Sequence, residues 1–209
     1  SVTADATETT SLTISAAAYG GLSTGALDGI DNVESLSITA GAAAVTATGA
    51  ADEVDALSTL TISATGAGSV TMGEIGEAAA ATLDTISLTA TSGGDIDLSE
   101  INTSIDMTSI TLSATGAGST IDVGASSVGI VTGGNAITTY SVTATDGGAI
   151  TLNDAEDLEA TDITSLSINA NGVGSAVNWV TLTAADTSSA EITSLEIGAN
   201  GAASSVDLS

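Results

Sequence analysis

The chain has 209 residues, of which 26 are Asp or Glu and none is Lys, Arg or His, for a formal net charge of −26. Cys, Pro and Phe are also absent, and the aromatic residues are one Trp and two Tyr. This inventory excludes phosphate-neutralising nucleic-acid binding, disulfide frameworks, the usual zinc and copper ligand sets, serine or cysteine triads and Schiff-base lysines.

The first predicted element is a short phrase, apolar-x-apolar-x-Ala, at Leu12-Ile14-Ala16. It recurs at Leu36-Ile38-Ala40, Leu60-Ile62-Ala64, Ile86-Leu88-Ala90, Ile110-Leu112-Ala114, Tyr140-Val142-Ala144, Leu166-Ile168-Ala170 and Leu195-Ile197-Ala199. A period of two with polar residues between marks strands that bury one face. The middle residues lie 24, 24, 26, 24, 30, 26 and 29 positions apart, the range of a solenoid repeat.

Three positions before the phrase stands an apolar lead-in, Val33, Leu57, Leu83, Met107, Ile137, Ile163 or Ile192, with Thr9 at the first copy. After it comes a glycine-bearing corner such as Thr65-Gly66-Ala67-Gly68, then a second alternating strand. Those second strands are predicted at Val70-Thr71-Met72, Ile96-Asp97-Leu98, Ile121-Asp122-Val123, Ile150-Thr151-Leu152, Val177-Asn178-Trp179 and Val206-Asp207-Leu208. Repeat length varies in the acidic stretches that follow, for example 73–84, 124–136 and 153–162, where loops tolerate insertion.

The fold expected is therefore all-β: a β-solenoid, read as a parallel β-helix of about eight coils of 24–30 residues with variable acidic loops. It forms one continuous domain over 1–209, since no linker interrupts the repeat. At roughly 4.8 Å per strand such a rod is on the order of 40 Å long. With so few rings, the core is expected to be thin layers of Ala, Val, Ile and Leu.

The acids cluster at Asp28 and Asp31, at Asp52, Glu53 and Asp55, at Asp95 and Asp97, and at Asp154, Glu156, Asp157, Glu159 and Asp162. Grouped oxygen donors suit a hard cation, and Asp28, Asp31, Asp95, Asp97, Asp154 and Asp157 are the expected ligands for calcium. The alternative for each cluster is a solvated acidic loop, because no EF-hand spacing is present. Paired carboxylates without aromatic platforms or bases make a poor glycosidase, so the chain reads as no enzyme.

Outward positions of the first strand form a hydroxyl column, Thr13, Ser37, Thr61, Ser87, Thr111, Ser141 and Ser167, broken by Glu196. Ordinary strand propensity with cross-strand hydroxyl pairs accounts for it. Binding of ice is the minor alternative.

The stretches Ser58 to Thr71 (STLTISATGAGSVT) and Ser109 to Gly118 (SITLSATGAG) resemble the β-strand repeats of bacterial S-layer proteins and related type I-secreted surface proteins. Gly93-Gly94-Asp95-Ile96-Asp97-Leu98 is similar to one turn of the repeats-in-toxin calcium nonapeptide. The resemblance implies a right-handed solenoid exported without a cleaved signal, ordered by calcium, and assembled as a lattice, filament or adhesin stalk. It also implies attachment to cell-surface polysaccharide through another region. No tandem nonapeptides and no C-terminal secretion region are recognisable.

Without a signal peptide or an initiating Met, the chain reads as a mature form or a segment of a longer array. No run of about 20 apolar residues is present, so no direct membrane insertion is expected. The opening residues 2–12 read like the internal stretch 182–195, which suggests head-to-tail stacking of identical subunits. The function expected is structural, a secreted self-assembling subunit of a bacterial surface layer or extracellular filament. An adhesin stalk or ligand-binding module using the variable loops is the alternative.

Overall fold

A computed structural model describes residues 10–17, 20–24, 32–47, 56–75, 83–103, 108–124, 130–132, 137–152, 162–179 and 191–208. Strands in chain order are β1 (Ser11–Ala16), β2 (Leu22–Thr24), β3 (Ser35–Ala40), β4 (Ala44–Ala47), β5 (Thr59–Thr65) and β6 (Ser69–Ile75). Then follow β7 (Thr85–Thr91), β8 (Asp95–Thr103), β9 (Ser109–Thr115), β10 (Thr120–Val123), β11 (Ile130–Thr132) and β12 (Ile137–Thr145). The chain continues with β13 (Ala149–Leu152), β14 (Asp162–Asn171), β15 (Ala176–Trp179), β16 (Glu191–Asn200) and β17 (Ser205–Asp207).

These strands make two parallel sheets, which is a β-solenoid. The first has eight strands in the order β1-β3-β5-β7-β9-β12-β14-β16, and the second runs β2-β4-β6-β8-β10-β13-β15-β17 with β11 beside β8. The three apolar columns of the repeat stack in register, as in Leu60↔Ile86, Ile62↔Leu88 and Ala64↔Ala90. A one-residue slip would turn every inward side chain to solvent, so the strict alternation enforces this register.

Between the sheets lies one continuous core, from Ile14 to Trp179. The lead-in residues Val33, Leu57, Leu83, Ile137 and Ile163 close its side and are all buried, while Met107 lies outside the described residues. Where successive coils enter the first sheet, at Thr10, Glu34, Ser58 and Asp84, one carbonyl accepts two successive N–H groups from the next coil. Glu34 O takes Ser58 N and Thr59 N at 2.9 and 3.0 Å, and Ser58 O takes Asp84 N and Thr85 N at 2.9 and 3.0 Å.

The structure departs from expectation in the core and in the loops. Tyr140 and Trp179 are both buried, their ring centroids 5.1 Å apart and tilted by 32°. One region of the interior is therefore filled by rings and not by thin aliphatic layers. The second-sheet column that reaches Trp179 starts at Thr24 and Ala47 and passes through Met72, Leu98, Val123 and Leu152, so the section there is wide enough. Trp179 Nε1 and Thr24 Oγ1 are buried without hydrogen-bond partners among the described residues. Strand β11 falls inside the stretch 124–136 read as loop: Gly124, at φ 85°, ends the line of β10, and Ile130 rejoins the sheet opposite Ile101.

Two serines hold neighbouring corners together. Ser119 is fully buried, donates from Oγ to Thr115 O at 2.7 Å and accepts from Gly93 N of the preceding coil at 2.9 Å. Ser175 repeats the arrangement with Asn171 O at 2.6 Å and Gly147 N at 3.1 Å. Ser119→Ala strands the half-buried Gly93 N–H and is expected to cost about 1 kcal/mol. Chemical denaturation should show a lowered midpoint, whereas Ser69→Ala, at a half-buried position of β6, should leave it nearly unchanged.

Candidate functional site

Strand β8 alternates Ile96 and Leu98, which are buried, with Asp95 and Asp97, which point outward. In the parallel register Asp97 lies between Thr71 of β6 and Asp122 of β10, and Asp95 between Ser69 and Thr120. The Thr120 hydroxyl bonds to Asp95 Oδ1. Asp95, Asp97, Thr120 and Asp122 line, with Thr151 of β13, a groove on the outer face of the second sheet.

Partial burial raises the Asp122 carboxyl above the ordinary carboxylate range, and the negative charges of Asp97 and then Asp95 push it further the same way. Like charges directly opposite on neighbouring strands repel, so the patch favours a proton or a cation in its groove. Asp122 was not among the expected ligands. Its signal was present, because Ile121-Asp122-Val123 and Ile96-Asp97-Leu98 are the same phrase one coil apart and their acids stack once the repeats are aligned.

Asp95 and Asp97 are thus brought together on one face. Asp28, Asp31, Asp154 and Asp157 lie outside the described residues. Among the described residues no three His, Cys, Asp or Glu side chains converge tightly enough to hold a metal ion. What the groove offers a cation is a diffuse negative field on an open sheet face.

A second feature sits at the last coil. Ile192, Leu195 and Ile197 of β16 are 41%, 56% and 47% exposed, although the residues they stack upon, Ile163, Leu166 and Ile168, are 5%, 1% and 0% exposed. Ala199 is exposed as well. Among the described residues, β16 pairs only with β14 and β17 only with β15, so both present an unpaired backbone edge beside bare apolar side chains.

Tyr140 and Trp179 are enclosed in the core and present no ring to a sugar. No helix among the described residues is long and apolar enough to cross a membrane. The chain matches no protein-family model, and no curated protein or solved structure is significantly similar to it.

Proposed function

We propose that the protein is a structural subunit: a secreted, acidic β-solenoid that stacks end to end with further copies in a bacterial surface layer or extracellular filament. The observation that carries this reading is the uncovered apolar cross-section of β16, flanked by two open strand edges. Open edges of this kind template strand addition, and a heterologous end-to-end contact propagates instead of closing. The occupant is the first coil of another copy, whose Leu12, Ile14 and Ala16 would continue the three columns.

Charge must be offset in such an array, because stacking subunits of net charge −26 concentrates like charge. Divalent cations, calcium foremost, fill that role in this reading, drawn to faces such as Asp95, Asp97 and Asp122. Surface location and calcium dependence rest on the resemblance and on the composition.

Electron microscopy with millimolar calcium, and again with chelator, tests the proposal. Wild-type protein is expected to form filaments or sheets in calcium that disperse on chelation. Leu195→Asp combined with Ile197→Asp is expected to stay folded, as both side chains are already exposed, and to remain monomeric. Wild type that stays dispersed under both conditions overturns the proposal. So does an intact mass for the native polypeptide large enough to supply further coils over β16.

A further inference from the structure

The outer face of the first sheet differs from everything else on the molecule, and the structural reading above makes no use of it. Three outward columns cross the seven strands β1, β3, β5, β7, β9, β12 and β14. Of these 21 positions, 20 are Ser or Thr, and the exception is Asn169. None is acidic, on a chain with 26 acids. The middle column, with Ser37, Thr61, Ser87, Thr111 and Ser141 at its centre, runs in unbroken register until Glu196 of β16.

Cross-strand hydroxyl pairing does not account for the face. Among the described residues, side-chain hydrogen bonds within the three columns are confined to Ser167 and Asn169, at 2.8 Å. Among the described residues, the hydroxyl pair Thr115 with Thr145, at 3.0 Å, lies at the strand ends outside these columns. The remaining hydroxyls are half-buried or exposed, with their bonding capacity turned to solvent.

Their spacing dictates what that solvent does. Neighbouring strands are about 4.8 Å apart and alternate residues of one strand about 6.6 Å apart, so column hydroxyls that keep the backbone spacing do not reach one another at the O–H···O distance of about 2.8 Å, unlike Thr115 and Thr145, whose hydroxyls converge to 3.0 Å. One water can bridge two hydroxyls stacked on adjacent strands. With both legs near 2.8 Å, the angle at that water is about 118°, close to tetrahedral. Repeated over seven strands, this orders water in near-tetrahedral files along the three columns, with neighbouring files about 6.6 Å apart. Liquid water holds such order only transiently; in ice it is permanent.

We propose that this face binds ice. The ligand is crystalline water, which meets an uncharged lattice of hydroxyls with hydrogen bonds and meets the threonine methyls between them with its open cages. Threonine suits the task because its branched χ1 fixes the oxygen, and serine dilutes the order without breaking the register. A protein partner would meet no large anchor side chain here. Attachment to an anionic surface would lack the Lys or Arg it requires.

The test is thermal hysteresis, together with partition of the whole protein into a slowly grown ice hemisphere. Wild type is expected to shape ice and enter it. Thr111→Tyr and, in a different coil, Ser141→Tyr place a bulky ring on the face and are expected to lower partition roughly tenfold. Thr46→Tyr, outward on the opposite sheet, should leave it unchanged, with far-UV circular dichroism alike for all three. Ser87→Thr should keep or raise activity. Wild type without hysteresis or ice shaping overturns the proposal, as does equal partition of Thr111→Tyr, Ser141→Tyr and Thr46→Tyr. Binding to crystalline cellulose in a protein that ignores ice also overturns it, in favour of a polysaccharide surface.

Discussion

Gly148→Val is expected to be among the most damaging single substitutions in the corners. A Cβ at this position would run into the carbonyl of Ala114 one coil below, and the same holds for Gly94 against Ala64. The obstacle is backbone fixed in the neighbouring sheet, so it cannot swing aside as a flexible side chain would. Relief requires the two coils to separate locally, which breaks their ladder and opens the core beneath. A cost of roughly 4 kcal/mol places it among the severe substitutions and lowers the thermal midpoint by about 8–16 °C for a chain of this size. Gly66→Asn is the matched control: that position also lies in a corner, at φ 63°, but has open space around it, and Asn tolerates this conformation at a cost of about 1 kcal/mol. A Gly148→Val midpoint within about 3 °C of wild type would show that this contact does not set the coil spacing.

Acidification is expected to stabilise this protein over a range where most proteins begin to lose stability. Acid denaturation ordinarily proceeds by protonating carboxylates that are paired with bases in the native state, and this chain has no Lys, Arg or His to pair with. For Asp122 the folded carboxyl has a raised pKa, so the folded form binds its proton more tightly than the unfolded chain does. The resulting stabilisation is fully present below the unfolded carboxylate value near 3.9 and is lost as pH rises through the higher folded value. Lowering the pH from 7 towards the raised Asp122 value at low ionic strength should therefore raise the thermal midpoint. About 1 M salt at pH 7 should do the same by screening. Asp122→Asn, which removes one charge from the Asp95 and Asp97 groove, should raise the midpoint at pH 7 and weaken its dependence on pH. A midpoint that falls steadily as pH drops from 7 to 5 would contradict this account.

The repeat was legible in the sequence because its physics is local. Leu-x-Ile-x-Ala alternates with the pleat, and identical phrases can stack only in register, so the columns at Leu60, Ile62 and Ala64 follow from spacing alone. The corner at Gly66 announced itself by its residue type. Less was legible where neighbouring coils decide the outcome. Strand β11 is three residues long and exists because β8 extends to meet it, which no local pattern encodes. Ser119 and Ser175 look like ordinary turn residues until two corners are superposed and each hydroxyl is seen to bridge them. The burial of Tyr140 against Trp179 joins rings from the two different sheets, which no local pattern pairs. Of the expected calcium ligands, Asp95 and Asp97 do share a face, but Asp122 beside them became visible only with the stacking order. The sparse hydrogen bonding within the hydroxyl columns is a property of the stacked sheet and has no local signature in the sequence.

Trp179 is the only tryptophan in the chain and is completely enclosed. In a linear array each coil is coupled directly to its immediate neighbours, so melting can begin at one end and travel, and different segments need not lose structure at the same temperature. Indole fluorescence therefore listens to the coils around β15, while far-UV circular dichroism averages over every strand. The gap between those two transition curves measures the length over which this solenoid behaves as a single cooperative unit.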